Sequence, residues 1–313
     1  MLHSEKFRAI RSRTFIVALL LCASACRSVP PTPVAARRIV TDELNRQIAI
    51  VPNPQRIISL APNLTEMLFA LELGKRVIGV TSYCDFPPEA KTKESVGNTL
   101  QPNLERIIAL KPDLVLVTTS SQLEKLTRQL DQLQIPVYAT NPHTVREMLT
   151  SIKHLGEITG ATAQAEKLNG ELDARINAVT SRVAQQAKPK ALFLVQDTPL
   201  IVAGRDTFLH DLVALAGGVS ITADVTGYPQ FSRETAIARA PEVIIDPGRP
   251  ENQALAESVL RKDYATTPAI RHNRIIRIDP DLTNRPGPRL VEGLEQLARA
   301  LHPAAFVTQL IKQ

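Results

Sequence analysis

"NLERIIALKPDLVLV", residues 103–117, has a counterpart much later in the chain, "FSRETAIARAPEVIID", residues 231–246. Aligned without a gap, Glu105 meets Glu234, Ile108 meets Ile237, Ala109 meets Ala238, Pro112 meets Pro241 and Asp113 meets Glu242. Each copy reads as a short helix, a proline that ends it, and an apolar run that becomes a core strand. Asn103 and Ser232 are good helix N-caps, which places Glu105 and Glu234 in the first turn. A helix-strand unit built twice predicts two lobes of one design.

The surrounding pattern agrees. "RRIVTDELNRQIAIV" (37–51) alternates around the polar tip Glu43-Leu44-Asn45-Arg46 and predicts a β-hairpin. Then "RIISLAP", "RVIGVTS", "DLVLVTT" and "IPVYAT" alternate with segments of helical period, "NLTEMLFALEL", "NLERIIALK" and "SQLEKLTRQLDQL". Strand and helix in turn predict an α/β lobe with a parallel sheet covered on both faces, over residues 37–142. Residues 143–187 carry almost no strand signal. The run Ala161–Ala187 predicts one uninterrupted helix of roughly 40 Å, a strut between lobes. After Pro189 the alternation restarts with "KALFLVQ", "TFLHDLVALAGG", "VSITAD", "EVIIDPG" and "NRIIRIDP", and "PRLVEGLEQLARALHP" closes a second α/β lobe, 188–313.

The chain has 313 residues and a formal charge of +6, which raises a nucleic-acid partner as a possibility. Four of its 37 basic and one of its 31 acidic residues precede Cys26, so the rest carries +3. That is an ordinary surface, without a basic block or interleaved aromatics, and no nucleic-acid partner is expected. "MLHSEKFRAIRSR" is a basic leader, "TFIVALLL" an apolar core too short to span a bilayer, and "CASAC" ends it with small residues before a cysteine. Residues 1–25 therefore read as an export signal. Ala23-Ser24-Ala25-Cys26 resembles a bacterial lipoprotein box, with Cys26 as the lipidated first residue of the mature chain; Ala23 stands where Leu is commonest, so cleavage after Ala25 without lipidation stays open. The Pro-rich stretch to residue 36 reads as a flexible tether. Of Cys22, Cys26 and Cys84, processing leaves Cys84 as the one free thiol, so no internal disulfide forms.

"RIISLAPNLTEMLFALELGKRVIGVTSYCDFPPEAKTKESVGNTLQPNLERIIALKPDLVLV" resembles the first lobe of the periplasmic binding proteins of ABC importers, in the class with a helical backbone that carries cobalamin, haem and iron siderophores. "TSYCDFPPEA", "YPQFSRE" and "DPDLTNRPGPRL" are most similar to the cobalamin receptors of that class. The resemblance runs from Arg37 to about Pro303. It implies two lobes joined by a rigid helix, a permease dimer as partner, a monomeric receptor, and no catalytic cofactor. It implies that Glu105 and Glu234, one on each lobe, meet the permease, a pseudo-symmetric pair for a symmetric dimer. For the ligand it implies Tyr83, Tyr228, Asp281 and Arg285, with Leu282, Thr283 and Asn284 between them. A corrin is a flat, partly apolar ring edged with amides, so aromatic faces and a few fixed polar groups suit it.

The pattern also departs from the family. Thr99 and Thr118 stand where the enteric receptor has Trp, and Ala216 and Ala298 stand where it has a disulfide. There is no Trp at all. Haem or a siderophore thus remains an alternative ligand. Cys84, directly after Tyr83, is either a small packing residue or an axial ligand.

Other chemistry is weakly represented. "DPDLTNRPG" lacks the Gly and the Glu that a calcium loop needs at its sixth and twelfth positions, which are Asn284 and Leu290. The histidines beyond the leader are scattered, so no protein-ligated metal site is expected. No phosphate loop or nucleophile elbow is visible. The second function class is an exported α/β enzyme using Asp281, Asp85 or Glu234 as acid or base; no nucleophile-base pairing supports it.

Overall fold

In the computed structural model, the structure describes residues 36–119, 123–248 and 253–307. The export signal, Cys26 and most of the tether lie outside the described residues.

The chain opens with the antiparallel hairpin β1 (Arg38–Thr41) and β2 (Gln47–Ile50). The first sheet follows, with β3 (Ile57–Ser59), β4 (Val77–Val80), β5 (Glu94–Ser95), β6 (Leu114–Thr118) and β7 (Val137–Thr140) in the order β5-β4-β3-β6-β7, every pair parallel. Helices α1 (Pro62–Ala70), α2 (Leu104–Ala109) and α3 (Leu123–Gln132) make its crossovers. Two connector helices, α4 (Val145–Thr159) and α5 (Thr162–Val183), lead to the second lobe. There β8 (Lys190–Gln196), β10 (Val219–Ser220), β11 (Val243–Asp246) and β12 (Ile275–Arg277) form a parallel sheet in the order β10-β8-β11-β12. The short β9 (Ile201–Val202) folds back antiparallel on β8. That return was not legible in the sequence, since "TPLIVAG" has no strand-length alternation. Helices α6 (Phe208–Leu215), α7 (Arg233–Ala238), α8 (Gln253–Asp263), α9 (Pro268–Arg271), α10 (Pro280–Thr283), α11 (Leu290–Leu301) and α12 (Pro303–Phe306) complete the lobe.

The repeat is structural to the level of single backbone bonds. The Asn103 and Ser232 side chains accept from Arg106 N and Thr235 N, capping α2 and α7. Each helix then ends on a left-handed residue, Lys111 (φ 47) or Ala240 (φ 50), directly before its proline. The following acidic residue donates its amide to the neighbouring strand's lead-in: Asp113 N to Arg56 O at 2.8 Å, and Glu242 N to Lys190 O at 2.8 Å. Its carboxylate accepts in the same direction, Asp113 from Gln55 N and Arg56 N, and Glu242 from Lys190 N. The strands β6 and β11 then lie against β3 and β8 respectively.

Side chains alternate across each strand, and the two faces go to different cores. Ile57, Leu114 and Leu116 of the first sheet, and Ala191, Phe193, Val243 and Ile245 of the second, belong to one continuous apolar cluster with the connector helices. Their neighbours Ile58, Val115 and Val117 pack under α2 and α3. Leu192, Leu194 and Ile244 pack into a separate cluster with Leu260 and Tyr264. The lobes therefore share a core instead of meeting only at a linker.

Helix α5 is shorter than the uninterrupted Ala161–Ala187 run predicts. It ends at Val183, giving 22 residues and roughly 33 Å. Its buried positions Ala165, Leu172, Ile176, Val179 and Val183 form one stripe. Beyond Val183 the next apolar residues, Ala184 and Ala187, are exposed. With nothing left to bury, the chain tightens into a turn, Gln186 N bonding Val183 O. The α4–α5 junction turns on Gly160 (φ 74), where a Cβ would stand 1.9 Å from Asn53 Oδ1. No helix among the described residues is long and apolar enough to cross a membrane.

Candidate functional site

Between the lobes lies a cleft of about 790 Å³. Its first wall is made by segments that leave the carboxyl ends of the first sheet: Ala61–Asn63 after β3, Tyr83 after β4, Thr99 after β5, Thr118–Thr119 at the end of β6, and Asn141–His143 after β7. The second wall comes from Asp206–Phe208 at the start of α6, Gly227–Tyr228, and the segment from Pro280 to Pro286. Ligands of open α/β sheets bind outside the carboxyl ends of their strands, and this cleft occupies that position for the first sheet.

Tyr83 and Tyr228, one from each wall, are 54% and 46% exposed. Both present apolar faces to whatever enters. Desolvation pushes the Tyr228 phenol up to about 12, with Thr207 acting in the opposite direction, so it is a neutral hydrogen-bonding group.

A polar chain runs along the floor. Thr119 Oγ1 donates to Asn141 Oδ1 (2.8 Å), and Asn141 Nδ2 lies 2.8 Å from His143 Nε2. His143 Nδ1 lies 3.0 Å from the Asp206 carbonyl of the other wall. With Asn141 donating to Nε2, the Nδ1 proton goes to Asp206, and both ring nitrogens are engaged.

The third feature is an ion-pair cluster joining the lobes. Arg285 meets Asp85 at 2.7 Å, Asp281 at 2.9 Å and Glu66 at 3.5 Å. Arg289, one turn further on, pairs with Glu66 through Nε (3.0 Å) and Nη2 (2.6 Å), and stacks over Phe86 at 4.0 Å. Glu66 and Asp85 belong to the first lobe; Asp281, Arg285 and Arg289 belong to the second. The Glu66 side chain is only 2% exposed, and burial raises its carboxyl above the usual range although both guanidinium groups pull it down. Asp85 behaves oppositely: burial tends to raise it, but the Arg285 hydrogen bond and charge hold it below the usual range.

The residues singled out from sequence distribute unevenly. Tyr83, Tyr228, Asp281, Asn284 and Arg285 line the cleft. Leu282 and Thr283 do not, because the single turn of α10 directs them into the lobe, where both are buried. The Leu282 carbonyl lies against Gly293, where a Cβ would stand only 2.2 Å away. Cys84 is also turned inward, 3% exposed with Sγ 3.2 Å from Thr81 Oγ1, and burial raises its thiol. It packs inside the lobe and is not part of the cleft wall. Ala216 and Ala298 are fully buried in the shared core. Thr99 and Thr118 do line the cleft. Glu105 and Glu234 are exposed on α2 and α7, away from the cleft, with Glu234 accepting from Ser232 Oγ at 2.8 Å.

Glu66, Arg289, His143 and Asp206 were not visible as site residues in the sequence. A glutamate inside "NLTEMLFAL" signals a buried partner, but that partner is 223 residues away. His143 and Asn141 directly follow a strand, the position that the strand-end rule would have marked. Among the described residues no group of three or more His, Cys, Asp or Glu side chains converges to hold a metal ion.

Residues 57–282 match the model of the periplasmic binding protein family. The chain belongs to that family. It is 33% identical over 251 residues to a vitamin B12-binding protein of Photorhabdus laumondii, covering 80% of this chain and 88% of that protein. It is 32% identical over 275 residues to an uncharacterized ABC transporter substrate-binding lipoprotein of Bacillus subtilis, YvrC, covering 85% and 86%. Among solved structures, the periplasmic vitamin B12 binding protein BtuF of Vibrio cholerae superposes with a TM-score of 0.72 at 28% identity, covering 81% of this chain and 99% of that one. The periplasmic heme-binding protein RhuT of Roseiflexus superposes as well, with a TM-score of 0.70 at 30% identity over 80% of this chain and 99% of that one. The two-lobed fold is thus shared by binders of different chelates.

Proposed function

We propose that this chain is an extracytoplasmic solute-binding lipoprotein that takes cobalamin between its lobes and delivers it to the permease dimer of an ABC importer. In this reading residues 1–25 are the export signal, Cys26 carries the lipid, 26–36 are the tether, 37–142 and 188–313 are the lobes, and 143–187 are the connector. The observation that carries the ligand is the cleft itself: two exposed tyrosine faces on opposite walls, with uncharged hydroxyl and amide groups between them. Aromatic faces suit an apolar ring plane, and hydroxyl and amide groups suit its amide rim. The vitamin B12-binding relatives support the same ligand.

Capture depends on a preformed cleft. The shared core, the α5 strut and the Glu66–Arg289 and Asp85–Arg285 pairs all resist a large hinge motion, so closure amounts to a small rocking of the lobes. Glu105 and Glu234, equivalent by the repeat and exposed, are the pair offered to the permease. The carboxylates named for an enzyme are ill suited to that role. Asp85 and Asp281 are held by Arg285, and Glu234 lies outside the cleft.

Calorimetric titration of the purified mature domain with cyanocobalamin, haem and a ferric siderophore tests the reading. Stoichiometric binding of cyanocobalamin alone, without turnover, is the expected result. A preference for haem, the ligand named for the Roseiflexus neighbour, would overturn the cobalamin assignment and leave the transport class standing.

A further inference from the structure

The cleft is not only shaped but charged in one direction. Among the described residues that line it, Arg285 is the one arginine, and no lysine is present. Its guanidinium is already shared among Asp85, Asp281 and Glu66, and its side chain is only 12% exposed. The neighbouring cation, Arg289, lies outside the cleft wall and is bound in two-point fashion by Glu66. Within that cluster three carboxylates face two guanidinium groups, so it carries no spare positive charge. Asp206 adds a further, exposed carboxylate on the same wall.

We infer that the cleft is a charge filter, which accepts neutral or cationic amide-rimmed chelates and rejects those whose rim carries carboxylates. The inference rests on the cobalamin reading and sharpens it. Among the described lining residues an incoming carboxylate finds no uncommitted cation. To gain Arg285 it must compete with Asp85 and Asp281, whose negative charges stay close by and repel it. A primary amide in the same place meets no such repulsion, and Asn63, Asn141, Asn284 and Thr119 offer both donors and acceptors. Specificity then arises from a repulsive element as much as from an attractive one. Asp206 is the residue whose charge can be removed without touching the Arg285 pairs.

The test uses the processed full-length protein and pairs of probes that differ by one charge at nearly constant shape: cyanocobalamin and its monocarboxylic acids, each with one peripheral amide hydrolysed. The acids should bind about tenfold or more weakly, a ratio that shrinks as salt is raised. In Asp206→Asn the ratio between amide and acid should fall severalfold. A melting temperature equal to that of the parent shows that the fold is intact. Acids that bind as tightly as the amide, or a ratio untouched by both salt and Asp206→Asn, would overturn the filter while leaving the cobalamin reading in place. If no corrinoid binds, the cobalamin reading fails separately. The filter is then decided by haem against its dimethyl ester, where weaker binding of the ester would overturn it.

Discussion

Replacing Arg289 with alanine probes the inter-lobe ion pairs directly. The substitution removes both hydrogen bonds to Glu66, at 3.0 and 2.6 Å, and leaves a carboxylate that is 2% exposed with only Arg285, 3.5 Å away. Breaking a buried pair from one side costs roughly 3–5 kcal/mol, and the residual contact to Arg285 places this case near the lower end. Loss of the stack on Phe86 adds about 0.5–1 kcal/mol. For a chain of this size the sum corresponds to a fall in Tm of about 6–7 °C. The deficit should depend on pH in a defined sense. The folded-state pKa of Glu66 is already raised by burial, and losing Arg289 raises it further. The cost of holding the carboxylate ionised is therefore felt above that pKa and disappears as pH falls through it, so the variant's deficit is largest at neutral pH and smaller near pH ~5. Urea titrations followed by circular dichroism at both pH values measure this. Glu66→Gln with Arg289→Met should recover most of the loss, because a buried pair replaced on both sides is often close to neutral. A deficit below about 1 kcal/mol, or one independent of pH, would refute the assignment of Glu66 and Arg289 as a buried lobe-joining pair.

Four further outcomes are expected. Tyr83→Ala and Tyr228→Ala should each weaken cyanocobalamin about 10- to 100-fold in calorimetry, from the loss of roughly 1.5–3 kcal/mol of aromatic burial; unchanged affinity would remove that tyrosine from the ligand surface. Glu105→Ala with Glu234→Ala should abolish transport in reconstituted vesicles while ligand affinity stays at the parent value, and a matching loss of affinity would count against a docking role. Gly293→Ala should cost about 1–3 kcal/mol and weaken ligand binding together, because its Cβ would press on Leu282 O and shift the turn bearing Asp281. Gly170→Ala is the contrasting case: it is exposed in α5 with nothing within 4 Å, and should stabilise by up to ~1 kcal/mol.

Legibility from sequence followed the range of the interactions. The caps at Asn103 and Ser232, the prolines after α2 and α7, and the first-turn positions of Glu105 and Glu234 are set by neighbours within a few residues, so they could be read directly. Hairpin and strand alternation were equally local. Helix formers continue past Val183 while the buried stripe stops there, so packing, not propensity, ends α5 short of the run that periodicity predicts. The resemblance places Leu282 and Thr283 in the ligand set beside Asp281. One helical turn then sent them to the opposite side.

What the sequence alone determined is the duplicated α/β unit, the helical connector and the two equivalent outer glutamates, since periodicity, caps and turn chemistry act over a few residues. Only the tertiary structure decided that Arg285 is committed to Asp85 and Glu66, that Cys84 faces inward, and that His143 touches Asp206 across the lobes. The Arg285 pairs and the His143 contact join residues 63 to 219 positions apart. Charge pairing at that range depends on where two sheets place their strand ends, which no local pattern encodes.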